Sequence, residues 1–300
     1  MSKTYTVSLL IPAHNEEKNI RMLLRHLVGQ KTTKKFDLKE IVVVASGCDD
    51  KTEEVVKDLI KTNRRIKLLS QKVREGKTSA INLFLKNTNS DIIVMESADT
   101  ILDAYTINKL LKPFMDKKTG MTTGRPIPIS NSRNVMSSIN NIIWKIHHKI
   151  SLNYPPKVGE LVAFRNIVKK VPKKTAADEE SISAIIQQKN YKIVYVPNAI
   201  VRNKGPESIS ELIKQRKRIF IGHLWIMKNQ DYIVPTLKST ILIKETLKEM
   251  FKNPKKIRVL MFLILLEMFV RVTAIIDFYI RKKDEHKWGI AKTTKNLGIR

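Results

Sequence analysis

The chain has a single cysteine in 300 residues, Cys48, so it has no internal disulfide framework and suits a reducing compartment. Aromatic side chains are scarce, at 6%, and no nucleic-acid-binding motif is present, so the platforms that stack bases are missing. Acidic residues are also few, 28 against 56 basic ones, for a formal charge of +28. No signal peptide is expected at MSKTYTVSLLIP, whose apolar stretch (7–12) is short and runs straight into polar residues. What remains is an ordinary folded composition, 42% hydrophobic and 28% charged, long enough for one large or two small domains.

The positive charge grows along the chain. Residues 1–100 carry +5, residues 101–200 carry +10 and residues 201–300 carry +13. Such a field favours anionic lipid, nucleic acid or phosphorylated substrates. The shortage of aromatics sets nucleic acid aside.

The first hundred residues alternate between two periodicities. Short β-branched runs at 7–11, 41–44, 66–69 and 92–95 read as strands buried on both faces. Between them, Ile20, Leu23, Leu24, Leu27 and Val28 mark a helical stripe, with Asn15 placed to cap it and Glu16 and Glu17 in its first turn. Val55, Val56, Leu59 and Ile60 mark a second, with Asp50 and Glu53 as a capping box. Ala80, Ile81, Phe84 and Leu85 mark a third. This order predicts an α/β fold with a mostly parallel sheet, whose ligands bind beyond the carboxyl ends of the strands. Later, helices are expected at 105–115, through Val135 to Ile150, at 178–188 and at 208–220. Strands are expected at 121–124, 161–164, 192–196 and 200–202.

The strand ends read IPAHNEE, VVASGCDDKT, REGKTSAIN and MESADT, followed by TTGRPIP, GELVAFR, ADEESIS, VYVPNAIV and QRKRIFIGH. In order and spacing this series resembles the inverting family 2 glycosyltransferases of GT-A fold, over roughly residues 5–225. The resemblance implies a domain at 1–225, with a nucleotide-sugar half (1–100) and an acceptor half (101–225), and a C-terminal helical, membrane-associating region at 226–300.

It also implies a site. Pro12, Ala13, Glu16 and Ser46 would meet the nucleoside, and Arg74 and Lys77, in a turn opened by Gly76, the diphosphate. Ser97-Ala98-Asp99 stands where the family has its metal-binding Asp-x-Asp, so Ser97 would touch donor and Asp99 would hold a divalent cation, Mg²⁺ or Mn²⁺. Glu179, with Asp178 as the next choice, takes the place of the catalytic base. Gln215, Arg216 and Arg218 resemble the Gln-x-x-Arg-Trp segment beside acceptor or phosphates. Ile219 replaces its tryptophan, which points away from a processive synthase. Each residue also has a plainer reading. Asp50, Asp99 and the acidic run at 178–180 suit helix starts, and Gln215–Arg218 suits a solvated basic face. His147 is expected near the buried side of its helix and His148 toward solvent, too divergent to share a metal.

Residues 257–280 are the most apolar segment, interrupted by Arg258, Glu267, Arg271 and Asp277. Glu267 with Arg271, and Asp277 with Arg281, are favourable i, i+4 pairs. Basic residues on both flanks predict a helix lying on the cytoplasmic face of a membrane; a true span is the other reading. The tail at 286–297 resembles the ending of some prokaryotic relatives. The function expected is sugar transfer from a nucleotide-diphosphate donor to a lipid-linked or membrane-proximal acceptor. The alternatives are a sugar-nucleotide nucleotidyltransferase, for which the first strand lacks the usual glycine-rich loop, and a degenerate basic lipid- or nucleic-acid-binding protein.

Overall fold

In the computed structural model, residues 3–129 and 134–282 are described; the tail at 286–297 lies outside them. Strands β1 (Tyr5–Ala13), β2 (Phe36–Ser46), β3 (Ile66–Gln71) and β4 (Ile92–Met95) alternate with helices α1 (Ile20–Val28), α2 (Thr52–Thr62) and α3 (Lys77–Asn87). Next come β5 (Thr100–Leu102), α4 (Thr106–Leu111), β6 (Thr119–Pro128), α5 (Val135–Asn153), β7 (Val162–Arg165), α6 (Asp178–Gln188) and β8 (Lys192–Asn203). Three helices close the described chain: α7 (Ile209–Gln230), α8 (Ser239–Lys252) and α9 (Ile257–Ile275), the last running into a π turn at Ile276–Ile280.

One sheet carries all these strands in the order β3-β2-β1-β4-β7-β6-β8-β5. The pairings among β1–β4 are parallel, as the alternation predicts. Beyond β4 the sheet is mixed, since β7 runs antiparallel to both β4 and β6, and β5 antiparallel to β8. Alternation along each strand divides the core. Leu9, Ile11, Val43 and Val94 face α1, α2 and α4, while Leu10, Val42, Val44 and Ile93 face α3 and α6. A third apolar cluster, away from the sheet, joins α5, α7 and α9 through Ile139, Ile146, Leu212, Leu263 and Leu266.

Several expectations need correcting. Helix α1 begins at Ile20, so Glu16 and Glu17 lie outside its first turn and Asn15 does not cap it. Asn15 instead turns to φ 55 and exchanges hydrogen bonds with Asp49. Asp50 and Glu53 form no capping box. Asp50 accepts from the backbone of Thr52 and Glu17, tying the loops after β1 and β2 together. The two strands expected at 192–202 are one, β8, whose register against β6 jumps between Tyr195 and Ile200. Pro197 sits in that jump, where it has no ladder N–H to give. Helix α7 runs on to Gln230, ten residues past its expected end.

Helix α8 falls in the region expected to be helical, although no periodicity marked its own bounds. Its buried side chains include Glu245 and Glu249, so polar groups interrupt the inward face that Ile241, Leu242 and Met250 share. Glu249 instead receives Lys145 (2.6 Å) and Lys149 from α5.

Candidate active site

Every residue expected to meet donor, metal or acceptor, or to act as the base, lines one cavity of about 1030 Å³. Pro12 and Ala13 end β1, Ser46 ends β2, and Ser97 and Asp99 follow β4, so the parallel half of the sheet delivers them to one rim. Glu16 lies in the loop after β1, its backbone N–H donating to Thr52 Oγ1 at 2.7 Å. Arg74 is brought in by a close approach of two loops. Gly47 has φ +58, and a Cβ there would stand 2.3 Å from the Arg74 nitrogen, so only glycine fits. Gln215, Arg216 and Arg218 come from α7. That helix packs tightly on the residue before the acidic run, since a Cβ on Gly222 would lie 3.0 Å from that of Ala177.

The acidic run opens α6, where the helix dipole favours negative charge. Lys77 Nζ, at the start of α3, lies 2.5 Å from Glu179 Oε1. Burial would push the Glu179 carboxyl up, but the Lys77 ammonium outweighs it and holds Glu179 below the usual range. Burial would likewise lower Lys77, and the Glu179 and Asp178 charges carry it above its ordinary value instead. Asp178 accepts from Thr78 Oγ1, and burial pushes its carboxyl up to about 6 against the pull of Lys77.

Glu160, part of the GELVAFR stretch but not singled out in the sequence, shares the cavity with a backbone at φ 45, a rare conformation for a non-glycine residue. Asn203 Nδ2 donates to it at 3.0 Å. Burial, then Asp99 and Glu179, push its carboxyl up to about 7. Glu96 is buried behind Asp99 with Oε2 lacking a hydrogen-bond partner, and burial, joined by Glu160 and Asp99, raises it well above normal. Asp103, by contrast, is exposed and faces Arg202 at 3.8 Å.

This concentration of carboxylates, with one buried oxygen unsatisfied, fits a hard divalent cation. Among the described residues no set of three or more His, Cys, Asp or Glu is placed to hold an ion.

Other residues departed from expectation. Arg216 is already engaged, its Nε and Nη2 lying 3.1 and 2.9 Å from Glu267 Oε2 on α9. His147 is buried, as expected, whereas His148 is half-buried and not turned to solvent, its Nδ1 2.7 Å from the Tyr195 hydroxyl. Lys157, His14 and His223 line the cavity without having been predicted. His223 sits in the QRKRIFIGH stretch, but its spacing alone did not mark it.

Glu180 offers a pH test of this buried cluster. It accepts from the Val158 backbone at 3.1 Å, and burial pushes its carboxyl up to about 8, against the opposing charge of Lys157. A carboxyl raised on folding is protonated in the native state while ionised in the unfolded one. The native state then binds more protons, so stability falls as pH rises from about 4.5 to about 8. Glu180→Gln should therefore melt several degrees above the parent protein at pH 9, with the difference vanishing near pH 4. Thermal melts across that range check this, and equal melting temperatures at pH 9 would refute it.

Residues 8–169, more than half of the chain, match the profile described as Glycosyl transferase family 2. The chain belongs to glycosyl transferase family 2. Among curated relatives, the Probable glycosyltransferase YdaM of Bacillus subtilis is 26% identical over 264 residues, covering 81% of this chain and 60% of the relative. The poly-beta-1,6-N-acetyl-D-glucosamine synthase of Staphylococcus epidermidis is 24% identical over 251 residues, covering 80% and 58%. The chain thus spans about 60% of the length of these relatives. Among solved structures, the mannosyltransferase PcManGT from Pyrobaculum calidifontis, in complex with GDP-Man and Mn²⁺, superposes with a TM-score of 0.60 at 18% identity, covering 93% of this chain and 82% of that one. The glucosyl-3-phosphoglycerate synthase from Mycobacterium tuberculosis, in complex with Mn²⁺, UDP and glucosyl-3-phosphoglycerate, gives 0.50 at 16% identity, covering 72% and 78%. At such identities the likeness speaks for the fold, which is GT-A.

Proposed function

We propose that this family 2 chain transfers a sugar from a nucleoside-diphosphate donor to a hydroxyl of a membrane-proximal acceptor, inverting the anomeric carbon. The observation that carries the reading is the meeting of Glu179 and Lys77 in a cavity rimmed by the ends of β1, β2 and β4. Glu179 takes the proton of the acceptor hydroxyl, whose oxygen bonds to the anomeric carbon on the face opposite the diphosphate. The bond from that carbon to the diphosphate breaks, its electron pair leaving with the phosphate oxygen, and the charge that develops there meets Lys77 and Arg74. Pro12, Ala13, Glu16, Ser46 and Ser97 enclose the nucleoside side of the donor, and Gln215, Arg216 and Arg218 border the acceptor side. When bound by Asp99 and donor oxygens, Mg²⁺ or Mn²⁺ supplies further neutralisation of the leaving group. The Mn²⁺ in the two structural relatives supports that assignment.

The membrane part of the reading rests on α9. Pro254–Ile280 is long and apolar enough to cross a membrane, with a mean hydropathy of 2.4 over its most apolar 18 residues. The charged residues of its second half, Glu267, Arg271 and Asp277, point toward the protein body. Glu267 bonds Arg216 of α7 and Arg271, and Asp277 receives Lys217 of α7 at 2.6 Å and Arg281 at 2.9 Å. Leu265, Met268, Phe269 and Val272 face outward as an exposed apolar stripe. A helix tied along one side to the catalytic body lies on a bilayer rather than crossing it, and exposed Lys252, Lys255, Lys256 and Arg258 meet anionic headgroups of the cytoplasmic face.

Donor binding tests the site before any acceptor is known. Titration with UDP and with GDP should show one of them binding at least tenfold more tightly with Mn²⁺ than without it. Asp99→Asn should remove most of that gain. Affinity independent of Mn²⁺ in the parent protein would remove Asp99 from the role.

A further inference from the structure

The inner part of the cavity holds charge that sugar transfer from a soluble donor does not call for. Lys157, Arg216, Arg271, His223 and Glu267 all line the cavity, and they come together around a small side recess of about 10 Å³ in which Glu267 is the sole carboxylate. Glu267 is shared by the two arginines. Lys157 makes no ion pair or hydrogen bond among the described residues, although it lines the main cavity. Its carboxylate neighbour Glu180 bonds the Val158 backbone instead. Lys157 is half-buried, and an ammonium that lines a cavity without a carboxylate of its own is placed to meet an incoming anion. His147 makes the same point independently. It is 7% exposed, lines the cavity, and neither ring nitrogen has a hydrogen-bond partner.

Beyond this positive neck the lining changes character. Ile143 and Ile150 of α5, Leu242 of α8, and Leu263 and Ile264 of α9 make an apolar lobe between the helices. Ile243 and Met268 line the same cavity and are 48% and 60% exposed, so the lobe opens onto the outer apolar stripe of α8 and α9. Carboxylate base, cationic groups and apolar side chains therefore line the same cavity.

We propose that this neck is an anion subsite for the phosphate of a lipid acceptor, held by Lys157, His147 and His223, with the hydrocarbon chain in the lobe between α5, α8 and α9. The acceptor is then an amphiphile bearing its phosphate between the chain and the hydroxyl that reaches Glu179. This rests on the sugar-transfer reading and names the acceptor class for it. Lys157 and the two histidines are positioning residues; they orient the acceptor and exchange no proton with the reacting oxygen.

Three probes below their micelle concentrations separate the parts by calorimetric titration of the full chain: a dodecanoyl lysophosphatidylglycerol, the monoacylglycerol of the same chain, and glycerol phosphate. The lysolipid should bind at least tenfold more tightly than either of the others. Lys157→Met should erase most of the advantage of the lysolipid over the monoacylglycerol, with circular dichroism unchanged. Ile243→Asp, at the exposed mouth, should weaken only the chain-bearing probes. Unchanged lysolipid affinity in Lys157→Met, or equal affinity for the monoacylglycerol, overturns the anion subsite. Glycerol phosphate binding as tightly as the lysolipid overturns the lipid and makes a soluble phosphorylated acceptor the occupant. Titration of the same parent protein with UDP and GDP reads the donor site separately, so its failure would count against sugar transfer and not against the subsite.

Discussion

Glu179→Gln is expected to lower sugar transfer by about 10²- to 10⁴-fold, the usual worth of a general base, while nucleoside diphosphate still binds. The substitution keeps the shape of the side chain and its place in the first turn of α6, so a folding defect does not account for such a loss. It removes the group able to take the acceptor proton. The ion pair with Lys77 shapes the result further. Held below its usual range, Glu179 is ionised at neutral pH and ready to accept a proton, though weakly basic while Lys77 remains beside it. A donor diphosphate competes for Lys77 and leaves Glu179 more basic when the acceptor is in place. Asp178→Asn separates the two neighbours. Asp178 is bonded to Thr78 and buried, so its loss should act mainly on stability. Single-turnover rates for both variants, beside circular dichroism, check this assignment. Near-normal turnover in Glu179→Gln with a large loss in Asp178→Asn would exchange their roles.

Glu267→Ala is expected to destabilise the fold by about 3–5 kcal/mol, because it strands two largely buried arginines without their shared carboxylate. Glu267 receives Arg216 of α7 at 2.9 Å and Arg271 of α9 at 3.1 Å. Arg271 continues the network to the carbonyls of Thr236 and Leu237 and stacks over Phe220 at 4.8 Å. The cluster fastens α9 to α7 and to the segment leading into α8. A fall in melting temperature on the order of 10 °C should follow. Replacing all three charges with Met or Leu should recover much of that loss, since the penalty comes from unpaired charge and not from lost attraction alone. A melting temperature within a degree or two for Glu267→Ala would show that α9 is not anchored this way, and would reopen the membrane-crossing reading.

The sequence was most legible where its chemistry obeys a simple period. The parallel half of the sheet alternates with amphipathic helices, and the site candidates at or just after its strand ends reach the cavity. The acidic run falls at the start of α6, where it was expected, and the two i, i+4 pairs on 257–281 form as read. Legibility failed where polar groups took over the work of apolar ones. Helix α8 buries Glu245 and Glu249 against its neighbours, a pattern that looks like surface until the lysines of α5 are placed opposite. Glu160 escaped notice because its role depends on a strained backbone and on carboxylates distant in sequence. The cationic neck draws on Lys157, Arg216 and His223, residues that no local spacing joins.

The most direct measurement is release of nucleoside diphosphate from a panel of sugar nucleotides with Mn²⁺, in the presence of lipid vesicles containing phosphate-bearing acceptors. The account predicts turnover with one donor, stimulated by the vesicles and abolished in Glu179→Gln. Release from none of the donors, or release undiminished in Glu179→Gln, would contradict it.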